Sequence, residues 1–312
     1  MSNEKLDHKL ILVTRKTRLA ELVAKYNTVD QAKFYLEHMG IDFDDYLIED
    51  RNYRDSLQEC LSILNSKGKV LQLDRTFLPN YVFHESDLIV VLGQDGLVAN
   101  TLKYLDSQKV IAVNPDPSRW DGVLLPFRVS QLEKIIDETI KGFRKYKEIT
   151  MAKAILNDGQ VLYGVNDLFI GHKSHVSSKY LININGKTES QSSSGIIVST
   201  GLGSTGWLKS IIEGAAGIMK SLAKLDIDRN LIEMKWDSDY LYYSIREPYK
   251  SIRTDSSIVF GHIERNEHLT IESRMPQDGR IFSDGVEEDF IEFNSGAIVK
   301  IIVAEKKGKL II

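Results

Sequence analysis

Two glycine-containing stretches carry the residue types that nucleotide chemistry needs. The first is VVLGQDGLVANTL, residues 90–102. An apolar run ends at Gly93, Gln94 and Asp95 follow, and Gly96 leads into a helix-like run. That order puts a carboxylate at the carboxyl end of a parallel strand, beside a helix N-terminus, where open α/β sheets bind ligands. Backbone N–H groups there cradle phosphate, and Gly93 and Gly96 let the backbone approach it closely. A carboxylate at such a spot repels phosphate unless it acts as a base or holds a metal; otherwise Asp95 simply caps the helix. The residues alone leave both readings open.

The second stretch, GLGSTGW (201–207), contains a literal GxGxxG in Gly201, Gly203 and Gly206. It follows the apolar run IIVST and precedes a helix-like run. A Rossmann fingerprint needs an opening βαβ unit and an acidic residue about 20 positions on. The segment after the helix-like run, 224–240, is polar and broken instead. The loop is therefore not read as a classical Rossmann turn. No GxxxxGK[ST] loop occurs, and the seven histidines show neither HxxxH nor HExxH spacing.

The elements that must position these loops fall into two groups. In the first half, strand-like LILVT (10–14), VLQL (70–73), SDLIVVLG (86–93) and KVIAVN (109–114) alternate with helix-like 29–39, 53–64 and 97–105. This is the βαβ pattern of a parallel sheet. A further helix is expected within 130–146, with Leu132, Ile135, Ile136, Ile140 and Phe143 as its apolar stripe. The second half has short, often alternating runs at 180–187, 240–247, 257–263, 268–274, 280–285 and 297–303, separated by Asn-Gly, Asp-Gly and Lys-Gly turns. An antiparallel β-rich domain follows from that pattern. The expected division is an α/β nucleotide-binding domain, 1–148, and a β-rich dinucleotide-binding domain, 149–312, whose last strand is free to return to the first.

Composition sets the wider frame. The net charge is −4, from 40 basic and 44 acidic residues, which gives no electrostatic basis for a nucleic-acid or membrane-surface protein. Cys60 is the single cysteine, so no intramolecular disulfide forms, and it is expected to be a buried apolar residue. No run of about 18 apolar residues spans a membrane. The segment MSNEKLDHKLILV lacks a long apolar core and carries Glu4 and Asp7, so a cytoplasmic protein is expected.

Four motifs in order resemble the NAD kinase family. GQDG (93–96) is similar to its GGDG signature, and VNDLFIG (165–171) to its Asn-Glu motif. SSGIIVSTGLGSTGW (193–207) resembles its glycine-rich strand–loop–helix, and FSDGVEEDFIEFNSGAIVKI (282–301) its C-terminal segment. TRKTR (14–18), VNPDPSRWDGVLLP (113–126), QSSSG (191–195) and SIREP (244–248) resemble the mitochondrial-type members and their bacterial relatives. The resemblance implies a Rossmann-like domain followed by a β-rich domain. It also implies transfer of the ATP γ-phosphoryl group to the 2′-hydroxyl of the adenosine ribose of NAD, with Mg²⁺ or another divalent metal, in a homodimer or higher homo-oligomer.

Residue by residue, the resemblance makes Asp95 the group that accepts the proton of the ribose hydroxyl or orients it. Gly93, Gln94, Gly96, Gly203 and Ser204 are expected at the ATP phosphates. Asn166, Asp167, Ser194, Ser199, Thr200, Thr205, Gly206 and Trp207 are expected at NAD, with Asn166 and Asp167 at its adenylate end. Trp207 either stacks on a ring or belongs to the core. Arg15 and Arg18 either meet phosphate or form a solvated helix start, and Asp284, at the second Asp-Gly, is read as a hairpin turn. Gln94 and Leu97 depart from GGDG and its following Thr, and Ser194 stands where the commoner motif has Asp. Those departures keep two rivals in view, a kinase of a lipid or sugar hydroxyl and a non-catalytic dinucleotide sensor. The phosphate donor, ATP or polyphosphate, stays open.

Overall fold

The computed structural model describes residues 9–226, 228, 232 and 234–312. Glu4 and Asp7, and part of the polar stretch 224–240, lie outside these residues. The chain forms two compact units, residues 1–147 with 309–312, and residues 148–308. They are the α/β and β-rich folds that the sequence pattern implies.

The first unit contains β1 (Lys9–Thr14), α1 (Arg18–Tyr26), α2 (Val29–His38), α3 (Phe43–Lys67), β2 (Lys69–Asp74), β3 (Leu88–Leu92), α4 (Asp95–Leu102), β4 (Lys109–Asn114), β5 (Phe127–Arg128) and α5 (Leu132–Ile140). β1 pairs in parallel with both β2 and β3, and β3 with β4. The chain thus leaves β1 for one side of the sheet and later returns to the other. The carboxyl ends of β1 and β3 therefore flank a topological switch point, the crevice where such sheets bind ligands. β3 is buried at all five positions because helices cover both faces of a parallel sheet. Cys60 and Leu64 of α3 and Leu132, Ile135 and Ile136 of α5 share one apolar core with the strands. Burial pushes the Cys60 thiol up to about 12, so it stays protonated and unreactive. The expected stripe fails at Phe143, which is exposed: α5 ends at Ile140, and Gly142 turns the chain at φ +75°.

The elements of the second unit, the first and last of which extend past its bounds, are β6 (Tyr146–Leu156), β7 (Val161–Gly164), β8 (Asp167–His172), β9 (Ser178–Ile184), β10 (Lys187–Ser193), β11 (Ile196–Ser199), α6 (Trp207–Ala223), β12 (Tyr240–Ile245), β13 (Phe260–Glu264), β14 (Leu269–Ser273), β15 (Gly279–Ser283), β16 (Val286–Glu292) and β17 (Ile298–Ile311). One antiparallel sheet runs β13-β12-β11-β8-β15-β16, and β10, β9, β14 and β17 pair side by side in another. Ile170, Val198 and Ile281 of the first sheet share a buried core with Ile182, Ile271 and Ile301 of the second. Asn185-Gly186 closes the β9–β10 hairpin at φ 51° and 78°, and Asp284-Gly285 closes β15–β16 at 56° and 71°. Two consecutive positive φ angles are what two-residue hairpins require of Asn-Gly and Asp-Gly.

Candidate active site

In the first unit, Gly93 continues β3 and donates its N–H to the Val113 carbonyl at 3.3 Å. Gln94 is the N-cap of α4 and makes no side-chain cap. Asp95 opens the helix, yet its carboxylate does not cap it: Oδ1 accepts the Leu124 N–H at 2.8 Å. The negative charge is also favoured by its place in the first helical turn. Leu124 lies in the loop before β5, which folds back on itself. Asn114 Nδ2 donates to the Trp120 carbonyl at 2.9 Å, and Gly122 turns the chain at φ +66°. The loop within VNPDPSRWDGVLLP thus builds the wall that fixes Asp95.

The two glycines of GQDG differ. A Cβ on Gly96 would meet no atom within 4 Å, whereas one on Gly93 would lie 2.7 Å from Leu97 Cδ2. Leu97 is buried, so the departure at this position trades a hydroxyl for packing over Gly93.

Arg15 is largely buried and Arg18 partly exposed, and both are paired with carboxylates. Arg15 Nη2 donates to Glu49 Oε1 at 2.9 Å, and Arg18 pairs with Glu49 and, at 2.8 Å, with Asp45. Arg119 also pairs with Asp45, at 2.6 Å, and hydrogen bonds from Arg119 and Arg18 hold the Asp45 carboxyl down at about 2. Tyr53 donates its hydroxyl proton to the Leu92 carbonyl at 3.2 Å and accepts the Arg15 N–H at 3.0 Å. It therefore ties the ends of β1 and β3 together at the switch point. Nothing in the sequence pairs these arginines with α3 carboxylates some 30 positions away.

In the second unit, the turn between β7 and β8 presents Asn166. Two segments close on it. Asp284 accepts the N–H groups of Val165, Asn166 and Asp167, at 3.0, 2.6 and 3.3 Å through Oδ1. Thr200 donates its hydroxyl to the Val165 carbonyl at 2.6 Å and its N–H to the Asn166 carbonyl at 2.9 Å. Gly203 passes so near that a Cβ would lie 2.0 Å from the Asn166 oxygen, and a Cβ on Gly201 would lie 1.9 Å from the Lys235 oxygen. Two glycines of GxGxxG thus serve close backbone packing.

Ser199, Thr200 and Ser204 are buried, and the Ser204 hydroxyl donates to the Gly201 carbonyl at 2.8 Å. Thr205 and Gly206 are exposed, and Asn166, Ser194 and Trp207 are half-buried. The Asn166 side-chain amide has no hydrogen-bond partner among the described residues.

Beside the loop lies a cavity of about 420 Å³ whose lining includes Phe169, Ser194, Trp207, Arg246, Phe282 and Glu287. The Trp207 and Phe169 rings stack with centroids 5.9 Å apart, Phe169 and Phe282 at 4.8 Å, and the Arg246 guanidinium lies 5.5 Å over Trp207. Trp207 is therefore wall and not core. Phe169 and Phe282 are registered partners of β8 and β15. Each stands in a motif already visible in the sequence, but their pairing was not legible there.

Burial first, and the neighbouring Asp284 charge second, raise the Asp167 carboxyl to about 7. The folded protein then holds this proton more tightly than the unfolded chain. The stabilisation is full below about pH 4 and is lost as pH rises through about 7. Asp167→Asn mimics the protonated group. Melting temperatures over pH 4–8 are expected to fall with pH in the wild type more than in the variant; parallel profiles would remove Asp167 as the cause.

No family model matches the chain. Among curated proteins, a probable NADH kinase of Oryza sativa subsp. japonica is 25% identical over 288 residues, covering 82% of each chain. An NAD kinase of Saccharolobus solfataricus is 26% identical over 228 residues, covering 72% of this chain and 79% of the relative. Among solved structures, yeast NADH kinase complexed with NADH matches at TM-score 0.57 and 16% identity, over 97% of this chain and 83% of its own. An NAD kinase from Archaeoglobus fulgidus in complex with ATP matches at 0.55 and 12%, over 97% and 93%. The solved structures speak for the fold and the curated relatives for the sequence. Together they support placing the chain in the NAD kinase family.

Proposed function

We propose that this chain transfers the γ-phosphoryl group of ATP to the 2′-hydroxyl of the adenosine ribose of NAD or NADH, giving the 2′-phosphorylated dinucleotide. The observation that carries this reading is the clamped turn of the second unit. Its backbone is engaged by two other segments, its Asn166 amide is uncommitted, and an aromatic-walled cavity lies beside the same loop. An amide that both donates and accepts suits a base edge, and stacked rings suit a second flat ring. A lipid chain offers no hydrogen-bonding edge to the amide, and a lone sugar offers no flat base.

Phosphoryl transfer asks the protein for positioning and charge stabilisation. Asp95 takes the hydroxyl proton or orients the hydroxyl, with the Leu124 N–H fixing its rotamer. Gly96, with open space where a Cβ would stand, admits the phosphates to the N-terminus of α4. Among the described residues no group of three His, Cys, Asp or Glu is arranged to hold a metal. Mg²⁺ arriving on the triphosphate needs few protein ligands. The metal, when bound, neutralises charge on the transferred group.

The non-catalytic rival rested on Gln94 and Leu97; Leu97 is accounted for by packing, and Asp95 is retained. Among the described residues no helix is long and apolar enough to cross a membrane. A cytoplasmic homo-oligomer completes the proposal, and light scattering of the purified protein reads its size. The function is tested by γ-labelled ATP with NAD, NADH, diacylglycerol and a free sugar as acceptors. Label in the dinucleotides is expected; label in lipid or sugar alone would overturn the proposal.

A further inference from the structure

We propose that Asp284 is a positioning residue for dinucleotide binding: its carboxylate sets the backbone of the Val165–Asp167 turn so that the Asn166 amide is presented to the substrate. The role rests on the function proposed above, in which Asn166 meets the adenylate end of the dinucleotide.

The hairpin that contains Asp284 does not need a carboxylate. Asp284 and Gly285 are the two central residues of the β15–β16 turn, both at positive φ, and Asn-Gly serves such a turn at least as well. The charge is directed elsewhere, across to a turn about 118 positions earlier in the chain, where it gathers three consecutive backbone N–H groups. The Asp284 N–H returns a bond to the Asp167 carbonyl at 3.1 Å, so the two turns are locked in both directions.

The remaining backbone group of Asn166 is taken as well. Its carbonyl accepts the Thr200 N–H at 2.9 Å, with the Thr200 hydroxyl, whose proton goes to Val165, 3.2 Å away and Gly203 packed against it. With N–H and C=O both committed, the side-chain amide is the polar group that residue 166 has left to offer. Charge-assisted bonds are shorter and about twice as strong as neutral ones. An ionised carboxylate accepts only, so it suits three donors converging on one side. An amide in the same place loses the charge that strengthens all three bonds and turns its NH₂ toward the Val165 N–H, which Oδ2 also accepts at 3.1 Å, so the turn relaxes away from it.

Asp284→Asn therefore separates the two jobs, keeping the hairpin and removing the charge. Steady-state kinetics on the full chain, with dinucleotide and ATP varied in turn, should show the KM for the dinucleotide raised about tenfold. The kcat and the KM for ATP should stay within about twofold, because neither the Asp95 loop nor the phosphate contacts are touched. Calorimetric titration with the dinucleotide alone should show the same weakening. If Asp284→Asn does not fold, Asp284→Glu, which keeps the charge but displaces it, is read in the same way. A foldable variant with an unchanged KM for the dinucleotide, or a loss confined to kcat, would overturn the positioning role. Wild type run alongside separates the two claims. An active wild type with an indifferent variant ends the role of Asp284 alone, whereas a wild type that phosphorylates no dinucleotide ends the function on which that role rests.

Discussion

Asp95→Asn should lower kcat by about 10²–10⁴-fold, the range expected when a positioned acid–base group is lost, while leaving the protein folded. The amide keeps the volume of the carboxylate, and its oxygen can still accept the Leu124 N–H that now reaches Asp95 Oδ1 at 2.8 Å. What disappears is the negative charge at the start of α4, worth about 0.3–1 kcal/mol at an exposed helix end. Asp95→Ala should be equally inactive but less stable. Leu124 is buried, and its N–H would lose its acceptor, at a cost of about 1–3 kcal/mol. Initial rates and thermal melts of the three proteins check both statements. Near-normal turnover by Asp95→Asn would take the proton-accepting role away from this residue.

Gly203→Ala is expected to be among the most damaging single methyls in the second unit. Its Cβ would stand 2.0 Å from the Asn166 carbonyl oxygen and 2.9 Å from Ser199 Oγ. The first is backbone, already held by Thr200, and cannot give way as a flexible side chain can. Overpacking of this kind costs about 1–3 kcal/mol, and the displaced turn should lose dinucleotide affinity as well. Gly96→Ala is the contrasting case. Nothing lies within 4 Å of its Cβ, and the residue is helical, where Ala is favoured over Gly by about 0.8–1 kcal/mol. That variant should melt no lower than wild type, yet show a raised KM for ATP, because the methyl group occupies the approach of the phosphates. A Gly96→Ala enzyme with an unaltered KM for ATP would mean the phosphates do not pass over this residue.

What the sequence made legible follows local rules. β4 is found at 109–114, where the apolar run stands, and the Asn-Gly and Asp-Gly turns close hairpins as their chemistry requires. Longer-range facts were hidden. β17 runs on to Ile311 through AEKKGKLI, a charged stretch that pattern alone reads as surface; pairing of Lys309 and Leu310 with Lys109 and Val110 keeps it extended. Arg15 and Arg18 looked available because their carboxylate partners sit on a helix whose packing no local rule supplies. The site divides in the same way. Asp95, Asn166 and Trp207 stood out by motif. The bond from Leu124 to Asp95, the grip of Asp284 on the Asn166 turn and the pairing of Phe169 with Phe282 depend on contacts between distant segments. Several hydroxyls of the glycine loop are expected at the ligand, but Ser199, Thr200 and Ser204 are buried; Thr200 binds the Val165 carbonyl and Ser204 the Gly201 carbonyl.

The most direct measurement is formation of the 2′-phosphorylated dinucleotide by purified wild-type protein given ATP, Mg²⁺ and either NAD or NADH, read by a dehydrogenase specific for NADP(H), with Asp95→Asn as the control. Steady turnover by the wild type and none by the control is the predicted result. A folded wild type that binds the dinucleotide yet forms no product with ATP would contradict the assignment of this chain as its kinase.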